Sequence, residues 1–387
     1  MKAKSLLISS VSFAVISSAA VAADVNNFVL FEQDGASNAA AIAQSGQQNS
    51  VGYEEGNTTL TATQSGDNNS ATLRQLGDSN AIGATGTGFV QSGDYNSADV
   101  TQNQSRNIVG TVTQTASGAA GAAQNTLTIT QGSSENSTPD ETANIVSGVG
   151  QTNLGGAANT VTINQTRADG TSTVASGLAS ANRIGTDGSE ALQSGSGNAL
   201  DMTQNGVANR ILAVQQAGVA NNITISQENG SRNGEMVGNL VTSASQTGDD
   251  NRIGLVITGD GNGYDGLSAR FASDIGVSSS SIDQVGDVNI ANLGINGNDN
   301  QFGIYQNGDL NSAGIALITG DNNEVVFSQT GDNNTIAVAS IDASNVDFGA
   351  LQSGDNNTAD VTELKGDSNA VLLRQYGTNA LTLEVDG

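Results

Sequence analysis

The sequence predicts an all-β fold: a β-solenoid of stacked strand–turn–strand repeats, cross-β-like, with about 22–23 residues in each coil. Three observations support this prediction. The phrase Gln-x-Gly-x-x-Asn stands intact thirteen times in 387 residues, and neighbouring copies are most often 11 or 12 residues apart. Apolar residues alternate with polar ones between the copies, and short segments rich in Gly, Asp and Asn interrupt the alternation. A short period kept over most of a chain indicates one small unit stacked many times.

The segment between two phrases is predicted to be a strand. The Asn that closes one phrase and the Gln that opens the next are usually six residues apart, as in Asn323-Glu-Val-Val-Phe-Ser-Gln329. Side chains of a strand point to opposite faces in turn, so Asn323, Val325, Phe327 and Gln329 share one face. Each strand therefore has an inner face with an amide at both ends and two apolar residues between them. The period of two and the abundance of Thr, Val and Ile exclude helices.

The segments between strands are predicted to be tight turns, for example Gly331-Asp-Asn-Asn334. Gly and Asn tolerate a positive φ, and Asp or Asn closes a turn through its own side chain. Each unit of 11 or 12 residues is then one strand and one turn, and two units make a coil. Ordinary hairpins in a sandwich or barrel are the alternative, but they do not require the same amide at the same register in every repeat.

Amides at identical positions are predicted to stack in hydrogen-bonded ladders from coil to coil. A buried amide without a partner is costly, and a ladder supplies that partner everywhere except at the first and last coils. The ends of the solenoid are therefore expected to be unsatisfied, and neither end of the sequence shows a recognisable cap. The residues predicted to form the ladders are Asn27, Gln33, Asn38, Gln44, Gln64, Asn69, Gln75, Gln91, Asn96, Gln102, Gln193, Asn198, Gln204, Gln306, Asn323, Gln329, Gln352, Asn357, Asn369 and Gln375.

The composition excludes several classes of function. A net charge of −26 argues against partners such as nucleic acid and anionic membranes, which require basic surfaces. The absence of His and Cys excludes His-dependent triads, Cys nucleophiles and the usual zinc sites, so we expect no enzyme and no cofactor. The Gly-Asp-Asn-Asn turns raise the question of calcium, but they lack the Gly-Gly-x-Gly-x-Asp frame of calcium-binding repeats. Solvated turns are therefore expected there.

Two regions of the chain are distinguished by the sequence. Residues 1–23 are predicted to be a secretory signal, with Lys2 and Lys4, an apolar run and the small residues Ala20–Ala23 at the cleavage site. Residues 24–387 are predicted to be a single solenoid with insertions near 53–63 and 83–90 and loop-rich stretches near 115–190 and 258–283. No other apolar segment is long enough to cross a bilayer, so no membrane insertion is expected. Removal of the signal changes the net charge to −28, because two lysines and no acid leave with it.

The repeats resemble the curlin family, the subunits of bacterial curli amyloid fibres. The family repeat is Q-x-G-x-x-N-x-A-x-x-x-Q, and the segments Gln91–Gln102 and Gln64–Gln75 match it in full. Two departures are evident: the chain is far longer than the familiar five-repeat subunits, and the segment that separates signal and first repeat in the family is nearly missing. The resemblance covers most of residues 27–385.

The resemblance implies a secreted subunit of an extracellular, cell-surface fibre (a fimbrium) that polymerises with itself and supports adhesion and biofilm. It also implies a curli-type outer-membrane secretion channel and a nucleator as partners. A curli nucleator subunit is one alternative. The other is a capped, monomeric β-solenoid, either a surface adhesin or a rod that binds ice or glycans through a flat Thr/Ser face.

Overall fold

A computed structural model describes residues 7–8, 13–19, 27–55, 58–117, 124–133, 144–167, 173–174, 181–186, 190–229, 235–267, 275–338, 340–342, 348–365 and 370–386. The predicted cleavage site at 20–23 and the predicted ladder residue Asn369 lie outside these residues. Within the described part of the chain, no helix is long and apolar enough to span a membrane.

The structure confirms the predicted fold class, because the described chain is all-β and its strands form parallel sheets of the β-solenoid type. The chain divides into two compact units: unit 1 comprises Met1–Gly170 and Ala179–Asn205, and unit 2 comprises Thr171–Leu178 and Gly206–Gly387. In both units, successive repeats lie alternately in two sheets, and some repeats contribute two short strands to the same sheet. Apart from two small two-stranded sheets, the strands pair in parallel with their counterparts one coil away.

The strands in the first half of the chain are β1 Leu7–Ile8, β2 Phe13–Ala19, β3 Phe28–Val29, β4 Phe31–Asp34, β5 Ala39–Ser45, β6 Ser50–Val51, β7 Tyr53–Glu55, β8 Thr58–Leu60, β9 Ala62–Ser65, β10 Ser70–Leu76, β11 Ala81–Ile82, β12 Phe89–Ser92, β13 Asn96–Asn103, β14 Ile108–Ala116, β15 Asn125–Ser133, β16 Asn144–Asn153, β17 Asn159–Arg167, β18 Thr173–Val174, β19 Asn182–Ile184, β20 Ala191–Ser196 and β21 Ala199–Gly206. All of them belong to unit 1 except β18 and the last residue of β21.

The strands in the second half of the chain are β22 Arg210–Ile211, β23 Val214–Val219, β24 Asn222–Glu228, β25 Glu235–Met236, β26 Leu240–Val241, β27 Ser243–Thr247, β28 Arg252–Thr258, β29 Ser281–Val285, β30 Ile290–Asn296, β31 Gln301–Asn307, β32 Ser312–Thr319, β33 Glu324–Thr330, β34 Thr335–Val338, β35 Ile341–Asp342, β36 Ala350–Ser353, β37 Thr358–Lys365, β38 Leu373–Tyr376 and β39 Ala380–Asp386. They belong to unit 2.

The pairing register follows the repeat. In unit 1, β10 pairs with β5 and β13 so that Gln75 lies between Gln44 and Gln102. In unit 2, β33 pairs with β31 and β36 so that Gln329 lies between Gln306 and Gln352. Because side chains alternate along a strand, this register places every amide and every apolar residue of a repeat beside its own equivalent.

The core of each unit is a thin apolar layer between its two sheets. Strand β10 shows the pattern: Ala71 and Leu73 are buried and point inward, whereas Ser70, Thr72 and Arg74 are exposed. The same alternation buries the inner residues of the neighbouring coils, among them Val100 and Ile129. Burying an apolar side chain of this size contributes about 1.5–3 kcal/mol. Because each coil buries its apolar residues against the coils on either side, its stability depends on those neighbours.

The insertions depart from the repeat in different ways. Residues of the insertion near 53–63 form an antiparallel hairpin, with Tyr53–Glu55 paired to Thr58–Leu60. In the stretch near 258–283, Leu267, Ile275 and Val277 pack against Val326 on the outer face of the sheet in unit 2. A Cβ atom at Gly303, on the same outer face, would collide with Ser278 and Val277. This part of the insertion is therefore a second apolar layer on the sheet.

Two details of the repeat differ from the prediction. The spacing of Asn209 and Gln215 predicts an inward Gln215, but Gln215 is exposed and Gln216 is buried instead. The cause is a break between β22 and β23, which advances the inward position by one residue. The second difference is that the column of Gln227 does not continue as glutamine. In the next two coils of unit 2 the residues that pair at this position are the buried isoleucines Ile257 and Ile295.

Candidate functional site: amide ladders and two terminal edges

The buried glutamines form continuous ladders with a fixed direction. In unit 2, the Nε2 of Gln306 donates to the Oε1 of Gln329 at 2.7 Å, and the Nε2 of Gln329 donates to the Oε1 of Gln352 at 2.9 Å. The other hydrogen atom on each Nε2 is donated to a backbone carbonyl oxygen of the facing sheet. For Gln329 this acceptor is Ser312 O, at 3.0 Å. Every Gln ladder thus donates toward the C-terminal coil and accepts from the N-terminal coil.

The asparagines form ladders of the opposite direction. The backbone N–H and the Nδ2 of Asn311 both donate to the Oδ1 of Asn289, in the preceding coil, at 3.0 and 3.1 Å. The Nδ2 also donates to Gly331 O in the following coil at 2.8 Å. A single Asn therefore links its own turn to the turns of both adjacent coils. Losing such a buried partner costs about 1–3 kcal/mol per amide.

The structure places the predicted ladder residues in these columns, with Asn369 outside the described chain. The part of unit 1 that the structure describes has two Gln ladders and two Asn columns: Gln33, Gln64, Gln91, Gln114, Gln151 and Gln193; Gln44, Gln75, Gln102, Gln131, Gln165 and Gln204; Asn38, Asn69, Asn96, Asn125, Asn159 and Asn198; Asn27, Asn49, Asn80, Asn107, Asn144 and Asn182.

Among the described residues of unit 2 there are one Gln ladder and two Asn columns: Gln216, Gln246, Gln284, Gln306, Gln329, Gln352 and Gln375; Asn221, Asn251, Asn289, Asn311, Asn334, Asn357 and Asn379; Asn209, Asn239, Asn262, Asn300 and Asn323. Sequence reasoning missed Gln114 and Gln151, which belong to no intact phrase. Gln131 and Gln165 follow an Asn at the expected spacing of six, and that signal could have identified them.

The aspartates of the turns also stack. In unit 2 the Oδ1 of Asp332 accepts the backbone N–H of Asp309 at 2.9 Å, and the Oδ1 of Asp355 accepts the backbone N–H of Asp332 at 3.0 Å. Asp249 and Asp287 continue the column in the preceding coils. These carboxylates are exposed and bind the backbone of the turn before them. Among the described residues, no group of three or more His, Cys, Asp or Glu side chains is arranged to hold a metal ion.

The N-terminal edge of the repeats, which we call the head, consists of β4 and β5 with Asn27 and Asn38. The Gln ladder of β4 begins here with Gln33, whose Oε1 is buried without a hydrogen-bond partner. Strand β1 pairs with β4 through Leu7↔Glu32 and Ile8↔Gln33, and strand β2 pairs with β5. The backbone of the head therefore accepts further parallel strands, whereas the amide acceptor at its start is unsatisfied.

The C-terminal edge, which we call the tail, consists of β38 and β39. Leu381 is 36% exposed and Leu383 is half-buried, although their counterparts one coil earlier, Ala359 and Val361, are fully buried. The Nε2 of Gln375 donates to Thr358 O at 2.9 Å and to Asn379 O only at 3.4 Å. The core and the ladder of unit 2 therefore end in an open coil.

Asp283 is a partly buried carboxylate on the outer face of β29 in unit 2. Burial raises the pKa of Asp283, and hydrogen bonds from Ser243 and Ser281 only partly oppose this shift. The raised pKa means that the charged form destabilises the folded state at neutral pH. This penalty is full above the folded pKa and disappears as the pH falls below the ordinary pKa of an aspartate.

We therefore expect Asp283→Asn to raise the free energy of unfolding at pH 7, since the amide oxygen still accepts from Ser243 Oγ. The gain should vanish below about pH 4. Denaturant unfolding of both proteins across this pH range measures it, with Asp360→Asn at an exposed position of β37 as the control. A gain of equal size at every pH would contradict a titrating cause.

Comparison with known proteins gives a family for part of the chain. Residues 57–103, which include β8 to β13, match the curlin associated repeat. No curated protein matches the chain. The matched segment contains Gln64, Gln75, Gln91 and Gln102, four residues of the two Gln ladders in unit 1. The resemblance to the curlin family that the sequence indicated is thereby confirmed over residues 57–103, where the chain carries the curlin associated repeat.

Proposed function

We propose that this protein is a structural subunit of an extracellular, curli-like amyloid fibre, assembled end to end through its head and tail, and not an enzyme. The observation that supports this most strongly is the state of the two edges. The tail leaves Leu381 and Leu383 partly exposed, and the head leaves the Oε1 of Gln33 without a partner. A second copy satisfies both edges at once, because each carries the same repeat.

The directions of the ladders determine the orientation of that second copy. The Nε2 of Gln375 at the tail has no glutamine after it in its ladder and donates to Asn379 O only at 3.4 Å, whereas the Oε1 of Gln33 at the head is an unsatisfied acceptor. Head-to-head contact places acceptors against acceptors and tail-to-tail contact places donors against donors. Only tail-to-head stacking continues the ladders, so the fibre is polar and each added coil extends it by about 4.7–4.8 Å.

Export, partners and biological role follow from the same proposal. The signal at 1–23 directs the chain out of the cytoplasm, and a curli-type channel and a nucleator are the expected partners. The finished fibre supports adhesion and biofilm at the cell surface. The basic residues are spread thinly along the chain, which favours a fibre-forming subunit over a membrane-anchored nucleator.

The test is fibre formation by the mature chain, residues 24–387, diluted from denaturant. We expect thioflavin fluorescence to rise after a lag, unbranched detergent-resistant fibres in electron micrographs, and removal of the lag by preformed fibres. A β-rich monomer that stays soluble with and without seeds would contradict the proposal and favour the capped solenoid.

A further inference from the structure

We propose that the junction between two copies has one defined register, in which Arg374 at the tail of one copy lies beside Glu32 at the head of the next. This inference rests on the proposed fibre function and deepens it. Its partner is a second copy of this chain. The register follows from the pairing within each unit, the charges of the two edges and the strands that pair with the head in the full-length protein.

The register is obtained by extending the pairing of the last and first coils. At the tail, Gln352 pairs with Gln375 and Thr358 pairs with Ala380. At the head, the equivalent positions of the repeat are Gln33, which pairs with Gln64, and Ala39, which pairs with Ser70. Stacking tail on head with the same register places Gln375 beside Gln33 and Ala380 beside Ala39.

The apolar residues of the two edges complement each other in this register. Leu381 lies opposite Ala40, so a large side chain meets a small one, and Leu383 lies opposite Ile42. Ala40 and Ile42 are buried positions of the head, and both leucines are incompletely covered at the tail. The junction therefore closes the apolar layer, and at the first inward position of the paired strands the large Leu381 meets the small Ala40.

The charges of the outer face also match. Glu32 and Arg374 occupy the same column of the repeat and both are exposed. Their neighbours in the adjacent coils of their own units, Thr63 and Leu351, are uncharged. Opposite charges directly across a strand pair stabilise the pairing, and like charges destabilise it. Mature copies each carry a net charge of −28, so this single opposite pair opposes a general repulsion at the junction.

The full-length protein shows that the head accepts strands in this register. Strand β2 pairs in parallel with β5 through Ala14↔Ala40 and Ile16↔Ile42, the positions that Leu381 and Leu383 take in the junction. Strand β1 pairs through Leu7↔Glu32 and Ile8↔Gln33, where Arg374 and Gln375 are placed.

The test compares self-seeded elongation of four mature proteins: the parent, Arg374→Glu, Glu32→Arg and the double variant. We expect each single variant to elongate about threefold to tenfold more slowly, because each places like charges at every junction. The double variant restores an opposite pair and should recover most of the parental rate. The penalty of the single variants should shrink in about 1 M salt, which screens exposed charges.

Arg252→Glu is the matched control, since it makes the same charge change at an exposed position of β28, which lies between β24 and β30 and belongs to neither edge. It should elongate at close to the parental rate. Fibres that form while the double variant stays as slow as the single variants would overturn the register and leave the fibre function standing. A parent that never elongates would overturn the proposed function and, with it, the junction.

Discussion

Leu381→Asp is expected to slow fibre elongation by a factor on the order of 100 or more while the monomer remains folded. At the tail, Leu381 is 36% exposed, so a carboxylate at this position stays hydrated in the free monomer. When a second copy docks, the same carboxylate enters the apolar layer opposite Ala40 with no cation in the predicted register. The cost therefore falls almost entirely on assembly. Seeded thioflavin kinetics and circular dichroism of the monomer measure the two effects.

Thr382→Asp is the matched control, because residue 382 lies on the same strand but is exposed on the outer face. It adds the same charge to the same edge without placing it in the core. We expect its elongation rate to stay within about threefold of the parental rate. Equal slowing by both variants would mean that net charge at the tail governs elongation, and not burial in the junction.

Gly331→Ala is expected to destabilise the coils around it by at least about 2 kcal/mol. Gly331 has a φ of +106°, and a Cβ atom there would collide with the backbone oxygen of Gly354 in the next coil. The turn cannot move away without breaking the bonds of Asn311 and Asp332 to the neighbouring turns. The substitution therefore strains the backbone and separates adjacent coils.

The control for this variant is Gly314→Ala in β32, where no atom lies within 4 Å of the added Cβ and the position is not in a turn. Alanine there should be neutral or slightly stabilising, because it restricts the unfolded chain. Hydrogen exchange of the amides in β31, β33 and β36 measures local opening in both variants. Unchanged exchange in Gly331→Ala would contradict the close stacking of the turns.

The sequence predicted the fold well where the phrase is intact. The strand Asn323–Gln329 needed only its own residues to be recognised, because alternation sets the inner face and a solenoid repeats that face at each coil. The direction of the ladders was not predictable, since it depends on which amide hydrogen is already bonded to the backbone. Gln114 and Gln151 were missed because their turns lack the Gly-x-x-Asn signature.

Other features depend on contacts between residues that are distant in the sequence. Nothing in the sequence around Leu267 indicates that it packs on Val326, 59 residues later. The spacing of six from Asn209 indicated Gln215, although Gln216 opens an intact phrase, because a break of two residues within a strand is not visible in the spacing. The Asp turns were predicted to be solvated, and their carboxylates are exposed. Their bonds to the preceding turn arise only when the coils stack in register.

Covalent trapping of the junction tests the central claim most directly. The chain has no cysteine, so Glu32→Cys with Arg374→Cys introduces the only two thiols. Adjacent parallel strands lie about 4.8 Å apart, within the range that a disulfide spans. After oxidation of mature fibres, tail-to-head stacking predicts a ladder of covalent multimers on a denaturing, non-reducing gel, collapsing to monomer on reduction. Well-formed fibres that give only monomer under the same conditions would contradict the account.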